Sequence, residues 1–318
     1  MSEIGRPEIG MSEIAICIPT RNRATLLKRA IEAALKQTYP RKAIYVMDNA
    51  STDATSDLVQ TYQGMGVVHC PAPEDIGLYP NFIRCYRDVS EPFFVLCGDD
   101  DYFVSPSYIA DAMSVLADAP PAVMAFGRVA HNRVRVSTFR ATHRIVPGDA
   151  LIKGAQRHVP IPFIMGTVIR RDAALKAKLF DQGFPSCDVL GLMQIAAQGD
   201  VVLLDQPALV MDNHNTNDHL SKNEYEIITD LRTFADGLYN FLASDHRLQD
   251  RAQSVTNWLV TSSFVGRVKE YRYSAIQAAR VFVAASLSFA TLARFAGWWS
   301  YHRLLRGPRH WSLKLHRC

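Results

Sequence analysis

Several features that mark other protein classes are missing from this 318-residue sequence. Its six cysteines are scattered without a CxxC pair, which argues against a zinc knuckle or a disulfide framework and favours a reducing compartment. Neither GxGxxG nor a P-loop pattern occurs, which disfavours dinucleotide oxidoreduction and P-loop phosphoryl transfer. No uncharged apolar run reaches the roughly 18 residues of a membrane-spanning helix, and the first residues lack the apolar segment of a signal peptide.

Acidic residues are missing altogether from residues 271–318, which hold eight Lys and Arg. The whole chain has 35 Lys and Arg, 31 Asp and Glu, and a formal net charge of +4. Residues 1–270 therefore hold 27 basic and 31 acidic residues, a net charge of −4. The chain is an acidic body with a basic tail, and we expect no nucleic-acid partner because the acidic body carries no recognised binding motif.

Short apolar runs alternate with helical patterns through residues 13–220. We predict strands at 14–18, where Pro19 is expected to end the strand, and at 43–47, 67–69, 93–97, 123–126, 163–169 and 201–204. Helices are predicted at 24–37, 51–62 (capped by Ser51), 81–88, 107–117 and 186–197. This alternation predicts βαβ units and an α/β fold with a mostly parallel sheet. Residues 1–12 are expected to form a flexible leader and residues 221–318 a helical extension.

Three adjacent aspartates, Asp99, Asp100 and Asp101, follow Gly98 directly after a predicted buried strand. Open α/β sheets bind ligands beyond the carboxyl ends of their strands, so a site is expected here. Adjacent carboxylates repel one another unless a cation or hydrogen bonds compensate, and Mg²⁺ and Mn²⁺ prefer oxygen ligands. We therefore predict a Mn²⁺ or Mg²⁺ site, with a solvated acidic turn as the alternative.

Two further polar clusters follow the first two predicted strands. The segment PTRNR at 19–23 offers a hydroxyl, an amide and two guanidinium groups, which suit a nucleotide or a diphosphate. The segment DNASTD at 48–53 begins with Asp48, whose carboxylate could accept a hydrogen bond from a base. A turn and a helix cap would explain Ser51 and Asp53 fully, but they explain Asp48 less well.

The ordered set PTRNR, DNASTD, EDIGLYPN and GDDD resembles the GT-A glycosyltransferases of family 2 over about residues 12–215. The resemblance implies a GT-A fold, a Rossmann-like sheet flanked by helices, here followed by the helical extension. It also implies inverting, metal-dependent transfer of a sugar from a nucleotide-diphosphate sugar, most often a UDP-sugar. The acceptor would be a hydroxyl of a glycan or a lipid-linked sugar, as in bacterial O-antigen and polysaccharide biosynthesis.

In the first half of the chain, the resemblance assigns nucleotide-sugar binding to seven residues, namely Pro19, Thr20, Asn22, Arg23, Asp48, Asn81 and Asp99. By that assignment Asp48 faces the base, Asn81 lies near the diphosphate and donor sugar, and Asp99 turns toward the ribose. Asp100 or Asp101 would hold the metal ion of this DxD-type motif. Gly98 stands where one alignment expects the first aspartate.

In the second half, the resemblance places Gly166 and Thr167 beside the acceptor, although strand packing alone could require Gly166. It makes Asp188 the general base that takes a proton from the acceptor, with Asp181 and Asp172 as rivals. The alternative for Asp188 is an ordinary acidic residue at a helix start. His214 would touch the diphosphate or complete the metal shell, and a solvated histidine is the alternative.

Two other functions fit parts of the same pattern. A non-catalytic nucleotide-sugar-binding scaffold would keep the fold, but the intact acidic triplet weighs against it. A sugar-phosphate nucleotidyltransferase would need a glycine-rich N-terminal loop with a basic residue, and PTRNR contains no glycine.

The basic tail has the pattern of a docking helix. Residues 275–299 are apolar apart from one polar stripe, and only 13 uncharged residues separate Arg280 from Arg294, too few to span a bilayer. Trp298, Trp299 and Trp311 accompany a cluster of arginines, which suits an anionic membrane surface. Packing on the body or on a second copy in a homodimer fits equally well. We expect a cytoplasmic protein, at the inner face of the cell membrane if the tail binds lipid.

Overall fold

The computed structural model describes residues 12–131, 134–135, 144–154, 162–184, 186–211, 224–270 and 281. The chain divides into two compact units, Met1–Leu220 and Ser221–Cys318. In the first unit a central, mostly parallel sheet is flanked by helices, which confirms the predicted α/β class.

Strands and helices alternate through the first four strands of this unit, as expected, and farther along the chain some strands follow one another directly. Its strands are β1 (Ile14–Thr20), β2 (Lys42–Asp48), β3 (Val67–Pro71), β4 (Phe93–Leu96), β5 (Asp101–Phe103), β6 (Ala122–His131), β7 (Val134–Arg135), β8 (Arg144–Pro147), β9 (Val168–Arg170) and β10 (Asp200–Met211). Its helices are α1 (Ala24–Leu35), α2 (Thr55–Gln60), α3 (Leu78–Arg87), α4 (Tyr108–Asp118), α5 (Gly148–Gly154), α6 (Arg171–Ala177) and α7 (Cys187–Ala196).

The strand order places the predicted site at a reversal in the sheet. The order is β3-β2-β1-β4-β9-β6-β10-β5, with β7 beside β6 and β8 beside β10. The chain runs from β1 outward to β3 and then returns to the other side of β1 as β4, and these four strands are parallel. Ligands of open α/β sheets bind at such a reversal, beyond the carboxyl ends of the strands. The crevice is therefore expected beyond the carboxyl ends of β1 and β4.

Apolar burial explains why these segments form the core. Every residue of β1 is buried, as expected for a central parallel strand covered on both faces. Helix α1 buries Leu27, Ala30, Ile31 and Ala34, which recur at the spacing of one helical face. Burying a leucine or isoleucine side chain fully contributes about 1.5–3 kcal/mol each, so this face stabilises the α1 packing strongly.

Three of the wrong predictions about element boundaries have identifiable causes. Pro19 does not end β1, which continues to Thr20. Proline has no backbone N–H to donate, but the pairing of β1 with β4 stops at Cys17, so no β4 residue opposite Pro19 needs that donor. The helix predicted from 51 begins only at Thr55, because Ser51 bonds to the neighbouring loop instead of capping a helix. The strand predicted at 163–169 shortens to β9, because Gly166 adopts a positive φ of 80° that breaks the extended chain.

The described part of the second unit is helical. Helix α8 (Glu224–Ser244), a short 3-10 helix (Gln249–Arg251) and helix α9 (Ala252–Glu270) follow one another. Helix α8 buries Ile227, Leu231, Phe234, Leu238 and Leu242 at helical spacing. Within the described ranges, no helix is both long and apolar enough to cross a membrane. Residues 1–11 of the predicted leader 1–12, and the tail from 271 on, Val281 apart, lie outside the described residues, so docking of the tail stays a prediction.

Candidate functional site

The first two polar clusters meet the acidic triplet at the carboxyl edge of the sheet. The parallel register places Thr20, the last residue of β1, opposite Asp48, the last residue of β2. On the other side of β1, Cys17 pairs with Leu96 of β4, and the acidic triplet follows shortly after Leu96. The three segments that the sequence singled out therefore converge on one place.

The acidic triplet forms a tight turn between β4 and β5. The N–H of Asp101 donates to the carbonyl of Gly98 at 3.1 Å, and Asp101 then begins β5, which pairs with β10. Asp99 and Asp101 are only 5% and 4% exposed, whereas the side chain of Asp100 is 20% exposed. Three carboxylates so close together and so buried require compensation by hydrogen bonds or cations.

The loop after β1 supplies much of that compensation to Asp99. One oxygen of Asp99 accepts from Thr20 Oγ1 at 2.8 Å and the other from an Arg23 guanidinium N–H at 2.7 Å. Burial raises the pKa of Asp99 to about 6, against the opposite effects of Arg23 and Thr20. Because both oxygens bind protein donors, Asp99 links β4 to the loop after β1. Its predicted contact with ribose stays a prediction.

Asp100 and Asp101 are the carboxylates that suit a divalent cation. Arg23 also reaches Asp100 Oδ2 at 3.2 Å, and Arg29 donates to the backbone carbonyl of Asp100 at 2.9 Å. A Cβ placed on Gly98 would lie 2.7 Å from Asp101 Oδ2 and 3.1 Å from Asp100 Oδ1. Two carboxylate oxygens thus converge beside a residue that has no side chain, an arrangement whose donors match Mn²⁺ or Mg²⁺.

These two carboxylates could supply only part of a coordination shell. Across the residues that the structure describes, no group of three or more His, Cys, Asp or Glu side chains is arranged to hold a metal ion. Mg²⁺ commonly binds through one or two carboxylates and takes its remaining ligands from water and substrate phosphates. Asp100 and Asp101 fit that mode. His214, the third predicted ligand, lies outside the described residues.

The loops after β1 and β2 hold each other in place. The N–H of Asn22 donates to Ser51 Oγ at 2.9 Å, and the N–H of Thr52 donates to Asn22 Oδ1 at 2.7 Å. Asn22 and Ala50 both adopt positive φ, 54° and 55°, a left-handed conformation that asparagine tolerates but that costs roughly 1–2 kcal/mol for alanine. The two loops are therefore preformed, and the side-chain carbonyl of Asn22 accepts the hydrogen bond from Thr52 that joins them. Its contact with nucleotide stays a prediction, as does that of Pro19, which is buried in β1.

Asp48 is buried and receives two hydrogen bonds. Its Oδ1 accepts from the N–H of Ser51 at 2.9 Å, and its Oδ2 lies 3.0 Å from Nε2 of His69. Burial alone would raise the pKa of Asp48, but the bonds from His69 and Ser51 outweigh burial and hold that pKa below its usual value. Asp48 is thus an ionised acceptor at neutral pH.

Sequence reasoning gave His69 no role, and it also missed Asn49 and Asp75. One oxygen of Asp75 accepts from Asn49 Nδ2 at 2.7 Å, and the other pairs with Arg21 at 2.7 Å. The Arg21–Asp75 ion pair joins the loop after β1 to the loop after β3, and the Asn49–Asp75 hydrogen bond adds the loop that follows Asp48. The strand register is what brings His69 to Asp48, because it pairs His69 with Val46, and Val46 lies two residues before Asp48.

Asn81 anchors α3 to the sheet. Its Nδ2 donates to the carbonyl of Met47 at 2.8 Å, and its Oδ1 accepts from Arg84 at 3.1 Å. The residue is 4% exposed, so the structure gives its amide a structural role at the end of β2. Its predicted contact with the diphosphate and donor sugar stays a prediction.

Gly166 lies beside β4 for reasons of backbone geometry. Its N–H donates to the carbonyl of Leu96 at 2.8 Å, its φ is 80°, and a Cβ there would lie 2.9 Å from Leu209. These facts favour the packing interpretation of this glycine. Thr167 is buried, and its hydroxyl donates to the carbonyl of Phe163. The acceptor roles of both residues stay predictions.

Asp188 lies in the first turn of α7 and is partly buried. The loop before α7 packs on α3, since the rings of Phe180 and Phe82 are 5.2 Å apart. The rival Asp181 belongs to this packing, because both of its oxygens pair with Arg87 at 2.8 and 2.9 Å. The other rival, Asp172, is 62% exposed at the start of α6. Asp188 thus stays the preferred general base, as a prediction.

A cavity of about 420 Å³ lies away from this cluster. It is lined by residues at the amino ends of β1 and β4, among them Glu13 and Phe93. Its charged groups bind each other or the backbone, as Glu13 does with Arg41 at 2.7 Å and Arg170 with the carbonyl of Ala122. The candidate site is therefore the polar cluster at the carboxyl edge and not this cavity.

Two solved structures illustrate the similarity in fold, both at low sequence identity. TarS of S. aureus, solved with UDP-GlcNAc, superposes with a TM-score of 0.65 at 14% identity, covering 80% of this chain and 73% of that one. The mannosyltransferase PcManGT of Pyrobaculum calidifontis, solved with GDP-Man and Mn²⁺, gives 0.56 at 17% identity, covering 95% and 84%. At these identities the likeness establishes a shared GT-A fold.

Sequence comparisons identify the family. Validoxylamine A glucosyltransferase of Streptomyces hygroscopicus subsp. jinggangensis (strain 5008) is 29% identical over 118 residues. That match covers 36% of this chain and only 28% of the relative's length. The family model described as Glycosyl transferase family 2 matches residues 15–177, about half of the chain. The protein therefore belongs to glycosyl transferase family 2.

Proposed function

We propose that the protein is an inverting, metal-dependent glycosyltransferase that moves a sugar from a nucleotide-diphosphate sugar to a hydroxyl of a glycan or lipid-linked sugar. One observation carries the proposal: Thr20 and Arg23 meet Asp99 and Asp100 at the reversal between β1 and β4. Family membership and the donors named with the similar structures, UDP-GlcNAc and GDP-Man, support it.

Donor binding in this proposal uses the three segments at the carboxyl edge. The buried carboxylate of Asp48, which Ser51 and His69 hold in place, accepts a hydrogen bond from the base. Asp100 and Asp101 would hold the divalent cation, which when bound neutralises charge on the departing nucleoside diphosphate. Arg23, already placed against Asp99 and Asp100, keeps the acidic turn compact despite its like charges.

Transfer then requires a base for the acceptor. Asp188 takes the proton from the acceptor hydroxyl. At the same time the oxygen of that hydroxyl bonds to the anomeric carbon of the donor sugar, and the bond from this carbon to the diphosphate oxygen breaks. The diphosphate leaves with the electron pair of the broken bond. Because one displacement occurs at the anomeric carbon, the configuration there inverts.

A thermal-shift screen with UDP, GDP, dTDP and CDP, each with and without Mn²⁺, tests the proposal. A ligand at 100 times its Kd stabilises the native state by about 2.7 kcal/mol, so we expect one nucleoside diphosphate to raise Tm by about 5 °C with Mn²⁺. A smaller rise is expected without Mn²⁺. If no nucleoside diphosphate shifts Tm at millimolar concentration, the proposed function is wrong.

Gly98→Ala tests whether the acidic turn forms the metal site. The new methyl group would collide with Asp101 Oδ2 and crowd Asp100 Oδ1, so the two carboxylates would have to move apart. We expect affinity for the Mn²⁺ complex of the preferred nucleotide to fall about tenfold, as for other disturbed metal surroundings. Isothermal titration would measure this, and nucleotide affinity without Mn²⁺ should stay within about twofold. Unchanged affinity with Mn²⁺ would contradict the assignment.

A further inference from the structure

We propose that His69 is a positioning residue that sets the base specificity of the donor site by keeping Asp48 an acceptor of hydrogen bonds only. The inference rests on the proposed function, because it requires Asp48 to face the base of a nucleotide. It goes further by naming the class of base: one that presents a ring N–H to this carboxylate.

The strand register brings the two side chains together. Val46 of β2 pairs with His69 of β3, and Asp48 lies two residues beyond Val46. Residues two apart on a strand share a face, so His69 and Asp48 are diagonal neighbours on one face of the sheet. Their contact is 3.0 Å between Nε2 and Oδ2, with side-chain exposures of 17% and 3%.

The chemistry of the pair fixes the position of the proton. An ionised carboxylate has no hydrogen to donate, so Nε2 of His69 must carry the hydrogen that lies between them. The N–H of Ser51 occupies the other oxygen of Asp48 at 2.9 Å. Two donors from different segments therefore set the plane of the carboxylate, and each oxygen keeps acceptor capacity toward a ligand.

Loss of His69 would change what Asp48 can recognise. A buried carboxylate that loses the hydrogen bond from His69 becomes easier to protonate, because burial opposes its charged form. A protonated carboxyl group can donate as well as accept, so it would also bind a base that presents an unprotonated ring nitrogen. With His69 in place, Asp48 accepts only.

This property divides the bases into two classes. Uracil and thymine present N3–H, and guanine presents N1–H, whereas cytosine and adenine have a ring nitrogen acceptor at the corresponding position. A site whose buried polar group is left unpaired by the wrong ligand discriminates strongly, by as much as about 10⁴–10⁵-fold. We therefore assign the donor to the nucleotides whose base is uracil, thymine or guanine, each of which presents a ring N–H to Asp48.

Competition titrations with Mn²⁺ test the inference by comparing UDP with CDP, or GDP with ADP if the protein prefers purines. The wild type should prefer the N–H base by at least about 100-fold. His69→Leu should reduce that preference to below about tenfold. His69→Gln, whose amide can reach Asp48 with an N–H, should keep it within about threefold of the wild type.

Further variants keep the test decisive. His69→Asn carries an amide that is too short to reach Asp48, so it should behave like His69→Leu even if the leucine variant does not fold. His246→Leu, a change at a histidine that is 88% exposed, should leave the preference unchanged. Equal preference in the wild type and in the Leu or Asn variant would overturn the inference, as would loss of preference in the Gln variant.

The outcomes also separate this inference from the proposed function. A wild-type protein that binds no nucleoside diphosphate would sink the proposed function itself. A wild type that binds UDP in an Asp48-dependent way, but whose His69 variants select bases as it does, would sink only the role of His69.

Discussion

Asp188→Asn is expected to lower kcat by about 10²–10⁴-fold while donor affinity stays within about twofold of the wild type. The asparagine has nearly the same shape as the aspartate but cannot take a proton from the acceptor hydroxyl. Asp188 lies in the first turn of α7, so its charge also interacts with the helix dipole. That interaction is worth only about 0.3–1 kcal/mol and would affect stability, not transfer.

Steady-state kinetics, paired with titration of the nucleoside diphosphate, would measure both quantities. Asp172→Asn is the matched control, because Asp172 also begins a helix, α6, and is 62% exposed. This control should keep wild-type kcat and lose at most the small dipole contribution to stability. Turnover near that of the wild type in Asp188→Asn would show that another group is the base.

The second large effect concerns the acidic turn. An Asp100→Asn/Asp101→Asn double variant should lose the Mn²⁺-dependent part of donor affinity, by at least about 100-fold. Both carboxylate oxygens that converge beside Gly98 become amide atoms without charge, and hard divalent cations bind neutral amides much more weakly. Asp99 keeps its bonds to Thr20 and Arg23, so the loop after β1 should stay in place.

Isothermal titration of the preferred nucleotide with and without Mn²⁺ would measure the effect. Asp118→Asn, at an exposed aspartate at the end of α4, provides the control and should bind as the wild type does. A double variant that still binds more tightly with Mn²⁺ would contradict the assignment of Asp100 and Asp101.

Periodicity and polar clusters were enough to predict the fold class and to single out polar segments that meet at the carboxyl edge of the sheet. The parallel strands β1 to β4 have strong apolar runs, and their helices have clear faces, so local signals and tertiary packing agree. The errors at Pro19 and Ser51 have a different origin. Whether a proline can stay in a strand depends on where the neighbouring strand ends, and Ser51 binds Asn22 from another loop.

Within the site, the sequence predicted which segments would meet but not which atoms would be used. Thr20, Arg23 and Asp99 are neighbours as expected, yet they bind each other. His69 and Asp75 were missed because their roles depend on strand register and on the conformation of a loop. Neither can be derived from the spacing of residues along the chain, since the partners are 21 residues apart for His69 and Asp48 and 26 for Asp75 and Asn49.

The most direct test of sugar transfer follows donor cleavage by NMR, with a panel of UDP-, GDP- and dTDP-sugars, Mn²⁺ and water as the acceptor. One donor should be consumed, and the sugar first released should have the opposite anomeric configuration to that donor. The Asp100→Asn/Asp101→Asn variant should release almost none. A donor that binds but stays intact would indicate a non-catalytic nucleotide-sugar scaffold, and a released sugar with retained configuration would contradict the single displacement.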